Sequence, residues 1–455
     1  MQRRKFIKNT LLASSALAAG CTQNNQPTNR RYEGRVAVIG AGAAGLYAGL
    51  LLEEAGSDYV ILEASEQIGG RIRSLKGFTD FDIELGAEEI HGQRSLWYDW
   101  VKASGATLFE DDGTDYFQVG NTLRTASQLN SDVDFVAAQT LATQARNYSG
   151  DDISLQQLMD NRRLAARVQH IPNALVANEY GTSAARLSVR GISEEDRLWS
   201  AGDRNFMIAN RSMMSILEEK CKAVLPKIMF NKQIRRIDYS GDRIVVEDSQ
   251  TQKMAFDRVI VTVPLSILQA GDLQFNPPLP EAKRQAIKNI GMGAGMKIIL
   301  AFNRRFWAAN TGSIYTSGPV PEFWVTSSGR STRSFVLTGF VMGAQAEALS
   351  SLPSSAAIQT VLRDLDGLYG SGVATGALLN ARLIDWSKEP FIKGAYSYPT
   401  VGGGGLLTRL ELSRPVNRRL YFAGEATHYG GHSGTVHGAI ESARRAVEEL
   451  FKEAK

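Results

Sequence analysis

The segment Arg35-Val36-Ala37-Val38-Ile39-Gly40-Ala41-Gly42-Ala43-Ala44-Gly45 joins an apolar run to three glycines in the spacing Gly-x-Gly-x-x-Gly. The apolar run predicts a buried strand, and the residues after it predict a helix over 43–56, opened by Ala43 and Ala44. Gly40 permits a tight turn, Gly42 lets backbone approach a pyrophosphate, and Gly45 lets the helix pack on the strand. The N-terminus of that helix would face the phosphate charge, so the segment predicts a dinucleotide site.

A second predicted strand, over 59–63, ends at Glu63, which Ala64 follows. Glu63 stands where an acidic side chain accepts the ribose 2′-hydroxyl in such sites. The alternative is a glycine turn with a solvated Glu63. NAD and FAD share this pattern. Gly69-Gly70-Arg71 favours FAD, because it adds backbone N–H groups and a guanidinium near the phosphates, although such a segment also occurs in ordinary turns.

Strand patterns return later in the chain, between 228 and 263, at 296–303 and at 334–342, and the chain closes with a predicted strand over 420–423 and a helix over about 435–452. Residues 94–200 show polar and helical patterns without this β rhythm. The sequence therefore predicts an α/β fold with a discontinuous Rossmann-like FAD-binding domain and an inserted α+β substrate-binding domain. The predicted FAD-binding segments are 34–93, 205–290 and 408–455, and the predicted substrate-binding segments are 94–204 and 291–407.

The first 21 residues have the features of a signal peptide. Gln2-Arg3-Arg4-Lys5-Phe6-Ile7-Lys8 is a basic segment of twin-arginine type, and Ala18-Ala19-Gly20-Cys21 resembles a lipoprotein acceptor site. We expect export to the periplasm, with Cys21 as the sole link to a membrane. A soluble periplasmic protein cleaved nearby is the alternative. Residues 22–33 are polar and predict a tether.

The leader also accounts for the net charge of +4. Of the 51 Lys and Arg residues, four lie in the leader, and the rest equal the 47 Asp and Glu residues in number. A basic surface for nucleic acid is therefore not expected. If Cys21 is the anchor, Cys221 alone remains, so no internal disulfide is expected either.

Several motifs resemble those of flavin-containing amine oxidases of the monoamine and polyamine oxidase family. The resemblance covers about 35–452 and includes the glycine pattern and Glu63. The other motifs, in chain order, are Gly69-Gly70-Arg71, Glu84-Leu85-Gly86-Ala87-Glu88, Val261-Thr262-Val263-Pro264-Leu265, Gly394-Ala395-Tyr396-Ser397-Tyr398, Phe422-Ala423-Gly424-Glu425-Ala426-Thr427 and Gly434-Thr435-Val436-His437-Gly438-Ala439. The resemblance implies FAD as the cofactor and a small-molecule amine as the substrate.

The resemblance assigns cofactor contacts along the chain. It places Glu425 on the ribityl or phosphate side and Val436 at the flavin N1–C2=O edge, where a helix N-terminus would stabilise the negative charge that grows on reduction. Ile234 resembles the position whose backbone holds adenine, with a plain strand residue as the alternative. Trp386 resembles the tryptophan beside the flavin, with core packing as the alternative. The remaining cofactor-binding residues implied are Gly86, Ala87, Glu88 and Thr435.

Ala395 bears on how the cofactor is held. It occupies the place of the cysteine that links the flavin in monoamine oxidases. Because alanine cannot form the thioether, we expect non-covalent FAD.

Four residues are expected at the reacting end of the site, where the substrate would meet the flavin ring. Lys297 matches the family lysine that holds a water at flavin N5, although by pattern alone it fits a surface-facing strand lysine. Tyr396 matches one wall of an aromatic cage, and since Tyr398 alternates with it, one of the two should be core. Thr435 stands where monoamine oxidases have the second tyrosine, and His91 resembles a histidine near the substrate amine in polyamine oxidases. These features favour aliphatic amines or polyamines over small aromatic monoamines.

The expected reaction is hydride transfer from the carbon beside a neutral amine nitrogen to flavin N5, giving an imine that water hydrolyses. Oxygen, with H2O2 formed, or another acceptor would reoxidise the flavin. Activity should rise with pH as the substrate deprotonates. The alternatives are an amino-acid oxidase, for which Arg94 is available outside the usual motif, a protoporphyrinogen- or carotenoid-type desaturase, and a non-catalytic FAD-binding exported protein.

Three histidines near the end of the chain, His428, His432 and His437, raise the question of a metal site. The first two lie in a glycine-rich loop with no Cys or acidic residue at metal-ligand spacing. We therefore expect no metal.

Overall fold

The computed structural model describes residues 31–453. The predicted signal peptide, the Cys21 anchor and most of the predicted tether lie outside these residues. They stay predictions, which cell fractionation and the mass of the mature amino terminus would test. Within residues 31–453, no helix is both long and apolar enough to cross a membrane.

The cofactor half is built on a five-stranded parallel sheet. The strand Arg35–Ile39 lies in its middle, with Asp58–Leu62 on one side and Arg258–Val261 on the other. The edge strands are Ile228–Met229 and Leu420–Phe422. These strands come from the beginning, the middle and the end of the chain, which confirms the predicted discontinuous Rossmann-like fold.

Both faces of this sheet are covered. Val36 and Val38 face a core formed with the packed helices Ala43–Glu54 and Val436–Glu453, whereas Ala37 and Ile39 face a second core. Successive strand residues point to opposite faces, so an unbroken apolar run suits a strand covered on both sides. The second core lies under a four-stranded sheet, whose order is Lys253–Phe256, Ile244–Asp248, Ile234–Asp238 and Gln274–Asn276.

The substrate half is built on a seven-stranded mixed sheet. Every residue of its strand Gly295–Phe302 is buried. Met296, Ile298 and Leu300 face a core that includes the helices Gly343–Ser350 and Ser354–Tyr369, whereas Ile299 and Ala301 face Ile83 and Leu85 of the cofactor half. The strand order is Leu378–Asp385, Gly295–Phe302, Phe335–Met342, Glu322–Val325, Thr311–Tyr315, Thr114–Val119 and Thr122–Thr125.

Residues 94–200 contain more β structure than the sequence pattern predicted. Thr114–Val119 and Thr122–Thr125 extend the seven-stranded sheet, and Leu108–Phe109 pairs with Asn205–Ile208. Because few of these strand residues are fully buried, their apolar alternation is weak. The helix Leu96–Ala103 packs in the core of the parallel sheet, so the predicted substrate-binding segment 94–204 begins in the cofactor half.

The remaining helices lie around these sheets. The helices Val133–Arg146, Leu155–Asn161 and Val189–Leu198 belong to the substrate half. Further helices are Met213–Lys220, Leu265–Gln269, Glu281–Asn289, Val373–Ala377 and Leu406–Ser413.

Candidate active site

A cavity of about 660 Å³ runs between the two halves. It begins at the carboxyl edge of the parallel sheet, where Gly40, Glu63 and Thr262 each directly follow a strand and Gly424 comes two residues after another. All four residues line the cavity. Ligands of open parallel sheets bind at this edge. The cavity ends against the seven-stranded sheet. Every predicted cofactor-binding or reacting-end residue lines it except Gly45.

Gly42 and Gly45 serve different purposes. A Cβ at Gly42 would find no atom within 4 Å, whereas a Cβ at Gly45 would lie 1.9 Å from the carbonyl oxygen of Gly40. Gly42 therefore borders open space, and Gly45 allows the helix to pack on the turn. The open space lies at the N-terminus of the helix Ala43–Glu54 and suits a pyrophosphate.

Glu63 directly follows the strand Asp58–Leu62, and each of its carboxylate oxygens accepts a backbone N–H. The N–H of Ala41 donates to Oε2 at 2.6 Å, and the N–H of Ser65 donates to Oε1 at 2.9 Å. A carboxylate oxygen can accept more than one hydrogen bond, so Glu63 can also accept from a ribose hydroxyl. Ala64 and Ile234 line the same cavity, so the predicted backbone contact of Ile234 with adenine is compatible with the structure.

Arg71, which is partly buried, and Glu425, which is buried, form the centre of a charge network. Nη1 of Arg71 donates to Oε1 of Glu425 at 2.9 Å and to the carbonyl of Ala395 at 2.7 Å. Glu425 also accepts from the Ser397 hydroxyl at 2.6 Å and from the N–H of Gly434 at 2.8 Å. Burial by itself would raise the pKa of Glu425, but Arg71 and these donors hold it below its ordinary value. The position of Arg71 is thus held by hydrogen bonds to the protein. Through Glu425, Arg71 is also connected to the loop that contains Gly434.

Behind Glu425 lies an ion pair that no motif marked. Nε of Arg409 donates to Oε1 of Glu195 at 2.9 Å, and Nη1 of Arg409 donates to the Ser397 hydroxyl at 2.7 Å. The side chains of Arg409 and Glu195 are 0% and 1% exposed. Each lies on a helix with other charged residues. From the sequence alone, that pattern fits a solvent-exposed helix face as well as a buried ion pair.

The final helix begins at the cavity. The Thr435 hydroxyl accepts the N–H of Gly438 at 2.9 Å and donates to the carbonyl of His432 at 2.7 Å. Thr435 is therefore the N-cap of the helix Val436–Glu453. Since Gly434, Thr435 and Val436 line the cavity, the positive end of the helix dipole lies where the resemblance places the flavin edge.

Lys297 is buried, so its interpretation as a surface lysine is wrong. Its Nζ donates to Oε2 of Glu88 at 2.7 Å and to the carbonyl of Glu84 at 3.0 Å. It also lies 5.0 Å from the centre of the Trp324 ring. The side chains of Lys297 and Glu88 are each 4% exposed. The ammonium group thus has a carboxylate, a carbonyl and an aromatic face around it, and its predicted role at flavin N5 stays a prediction.

Tyr396 lines the cavity, while Tyr398 is buried in the core of the helical region, as the alternation predicted. The Tyr396 hydroxyl donates to the carbonyl of Glu179 at 2.7 Å. A Cβ at Gly181 or Gly434 would lie 2.7 or 3.2 Å from the Tyr396 ring. Glycine at both positions therefore lets the ring pack closely.

His91 and Trp386 also reach the cavity wall. Nδ1 of His91 lies 3.8 Å from a Glu89 carboxylate oxygen. Nε1 of Trp386 donates to the carbonyl of Leu85 at 3.1 Å. Trp386 both lines the cavity and belongs to a buried apolar cluster. A position beside the flavin and a role in core packing are therefore compatible.

The floor of the cavity contains residues that sequence reasoning missed. Lys297, Phe340 and Glu322 are paired in register across three neighbouring strands, so their side chains lie on one face of the sheet. Glu322 is 4% exposed and accepts a hydrogen bond from the Ser313 hydroxyl at 3.2 Å. Trp324, two residues later, lies on the same face. A glutamate beginning an otherwise apolar strand was the available signal.

His428, His432 and Glu441 lie together, so the fold brings to the two histidines an acidic side chain that their sequence spacing did not indicate. Oε2 of Glu441 lies 2.9 Å from Nε2 of His428 and 2.7 Å from Nδ1 of His432. The other ring nitrogen of each histidine accepts a backbone N–H, from Gly430 for His428 and from Ser200 for His432. Each neutral ring therefore carries its proton on the side of Glu441, where a metal would need a lone pair. This arrangement opposes metal binding.

The cavity fits FAD. Open space at Gly42 would accommodate the phosphates, Glu63 could accept a hydrogen bond from a ribose hydroxyl, and the helix that begins at Val436 would offer N–H groups to the isoalloxazine ring. Fold and cavity together define a flavin-dependent oxidoreductase with FAD as its cofactor.

Comparison with known proteins gives the particular family. The family model for flavin-containing amine oxidoreductases matches residues 43–451, and the chain belongs to this family of flavin-dependent amine oxidases. It is 27% identical over 449 residues to lysine-specific histone demethylase 1 homolog 2 of Oryza sativa subsp. japonica, covering 93% of this chain and 57% of the relative. It is 27% identical over 451 residues to polyamine oxidase 2 of Arabidopsis thaliana, covering 91% and 87%. The chain spans little more than half the length of the histone demethylases it matches.

Solved structures share the fold. Cyclohexylamine oxidase from Brevibacterium oxydans IH-35A superposes with a TM-score of 0.76 at 16% identity, covering 92% of this chain and 99% of that one. An engineered putrescine oxidase superposes with a TM-score of 0.74 at 19% identity, covering 93% and 100%.

Proposed function

We propose that this protein oxidises a C–N bond of an aliphatic diamine or polyamine. FAD, when bound, accepts the hydride lost from the carbon beside the nitrogen. The imine product is hydrolysed by water, and oxygen or another acceptor takes up the electrons. Relatives named polyamine oxidase and structural neighbours named putrescine and cyclohexylamine oxidase support an alkylamine substrate.

The observation that carries this proposal is the buried carboxylate of Glu322. It lies in the same cross-strand row as Lys297, two strands away, which corresponds to roughly 10 Å across the sheet. A carboxylate at this depth attracts a cationic group. A substrate with one amine at the reacting end and a second, charged amine at Glu322 fits this spacing.

Different residues of the chain would position different parts of the substrate. Tyr396 forms one wall beside the reacting end and is held by its hydrogen bond to the Glu179 carbonyl. Phe340 and Trp324 line the floor between the two ends, where their rings suit the methylene groups of an alkylamine.

An amino-acid oxidase is disfavoured as the alternative. Such an enzyme needs a basic group for the substrate carboxylate. Arg94 does not line the cavity, and its Nε donates to the carbonyl of Ser200. Acidic residues, Glu89 and Glu322, line the cavity instead.

The test compares putrescine with butylamine, which has the same carbon chain and a single amine. Putrescine should reduce the flavin more efficiently under nitrogen. Glu322→Gln should raise the KM for putrescine by at least about tenfold, because a buried charge pair is lost, while changing that for butylamine much less. Equal efficiency of the two amines in the wild type would contradict the diamine proposal.

A further inference from the structure

A short π-helix leads to the cavity beside Tyr396. It spans Asn173–Asn178, and the two residues that follow it, Glu179 and Tyr180, line the cavity. Helices of this type are rare, and they occur frequently at functional sites. The contacts of this segment therefore bear on the substrate end of the cavity.

The backbone after the π-helix supports the ring of Tyr396. The carbonyl of Glu179 accepts the Tyr396 hydroxyl at 2.7 Å. Gly181 has a φ of +79°, and a Cβ at this position would lie 2.7 Å from the ring. The ring thus lies directly against the backbone, so a shift of residues 179–181 would move this wall of the cavity.

The π-helix is also connected to the floor of the cavity. The buried side chain of Asn178 donates from Nδ2 to the carbonyl of Phe340 at 3.2 Å, and its Oδ1 accepts the N–H of Met342 at 2.9 Å. Residues 173–181 therefore connect Tyr396 in the wall with Phe340 in the floor.

Arg146 holds this segment from behind. Its Nη2 donates to Oε2 of Glu179 at 2.7 Å, and its Nη1 donates to Oδ2 of Asp196 at 3.3 Å. Asp196 also accepts the hydroxyl of Tyr180 at 2.7 Å. The side chains of Arg146, Glu179 and Asp196 are 15%, 20% and 20% exposed. Since charge-assisted hydrogen bonds at this depth are only partly screened, Arg146 fixes the position of Glu179.

We propose that Arg146 is a positioning residue for amine oxidation. By holding Glu179 it fixes the backbone of residues 179–181, and this backbone sets the position of the Tyr396 ring. Arg146 does not line the cavity, so it acts on the substrate through Tyr396. A displacement of about 1 Å at a reacting centre can lower a rate about a hundredfold. The inference rests on the proposed amine oxidation but is independent of whether the substrate has a second amine.

The experiment measures flavin reduction by stopped flow under nitrogen, with the best substrate of an amine panel. Arg146→Met should lower the limiting rate of reduction at least about tenfold, because the wall is displaced. The dissociation constant of the amine should rise less than about threefold, because the rest of the cavity still binds it. A smaller loss of rate would overturn the proposal.

Arg167→Met is the matched control. Arg167 also pairs with two carboxylates, those of Asp132 and Asp134, at the start of the helix Val133–Arg146, but its side chain is 45% exposed. Its limiting rate should stay within about twofold of the wild type. An equal loss of rate in the Arg146 and Arg167 variants would overturn the proposal.

A second substitution separates positioning from a general structural effect. Tyr396→Phe keeps the ring but removes its hydrogen bond to the Glu179 carbonyl. If Arg146 acts through this bond, Arg146→Met should slow the Tyr396→Phe enzyme by less than about threefold. A larger loss in that background would overturn the proposal, because the effect of Arg146 would then be independent of the Tyr396 contact.

Arg146→Lys keeps the inference testable if Arg146→Met does not fold. Lysine retains the charge but lacks the planar fork that reaches both carboxylates. Its loss of rate should be smaller than about tenfold and should again shrink in the Tyr396→Phe background. No loss, or the same loss in both backgrounds, would overturn the role of Arg146. A wild type whose flavin is bleached by no amine would instead contradict the proposed function itself.

Discussion

The charged residues of this protein contribute differently to its stability, because they are buried to different extents. Arg409 and Glu195 are almost fully buried, whereas Arg186 and Glu347, also an ion pair, are 44% and 46% exposed. Water already solvates an exposed pair and screens it, so breaking that pair changes little. Breaking a buried pair leaves a charge without solvent or partner.

Arg409→Met should therefore destabilise the protein by about 3–5 kcal/mol, because Glu195 is left buried and unpaired. Arg186→Met, the matched control, should cost less than about 1 kcal/mol. Denaturant unfolding of the two variants measures the difference, and the FAD content reports the Glu425 site behind which Arg409 lies. Equal stability losses would contradict this account of the buried network.

At the scale of elements, the last loop and the final helix form one unit around Glu441. The rings of His428 and His432 are stacked 5.0 Å apart, and both donate to the same Glu441 oxygen while their other nitrogens accept backbone N–H groups. A proton added to His428 Nδ1 would face two N–H donors, those of Gly430 and His432. Burial, the largest cause, lowers the pKa of His428.

This arrangement makes stability depend on pH with a definite sign. Because the folded-state pKa of His428 is depressed, its contribution is fully present above the ordinary value of 6.5 and is lost as the pH falls below it, where the unfolded chain takes up the proton more readily. His428→Asn keeps an oxygen that can accept the backbone N–H groups but does not titrate. From pH 7 to pH 5 the wild-type Tm should fall about 1–3 °C more than that of His428→Asn. An equal fall in Tm for the wild type and His428→Asn between pH 7 and pH 5 would refute the role assigned to His428.

At the scale of the whole molecule, the cavity that fits the cofactor lies between the two halves, and non-covalent binding is expected there. Ala395, at the position of the flavin-linking cysteine, has no nucleophilic atom. Cys221 is buried in the apolar core of the parallel sheet, where burial raises its thiol pKa to about 12, and it does not line the cavity. Neither residue can link the flavin.

Acid precipitation should therefore release the flavin completely. The protein pellet should be colourless, and the supernatant should contain FAD in about a one-to-one ratio to protein. Absorbance at the flavin bands in both fractions measures this outcome. A yellow pellet after washing would contradict non-covalent binding.

The cofactor site was largely predictable, whereas the substrate site was not. Gly40, Glu63 and Arg71 lie in short segments whose backbone geometry is local, and the structure places all three around one cavity. Glu322 lies in a strand without a motif, and residues 114–125 were missed as strands because their alternation is weak. Both owe their position to a sheet assembled from distant segments.

By itself the sequence determined the phosphate-binding turn, the amine oxidoreductase family and the absence of a cysteine at position 395. Each depends on contiguous residues whose conformation is set locally by glycine, by strand alternation and by a helix N-terminus. The tertiary structure alone decided that Glu88 pairs with Lys297, that Arg409 pairs with Glu195 and that Glu441 accepts hydrogen bonds from two histidines. Charge pairing acts through space over a few ångströms. Two charged residues far apart in the sequence therefore form a pair only when packing brings them together.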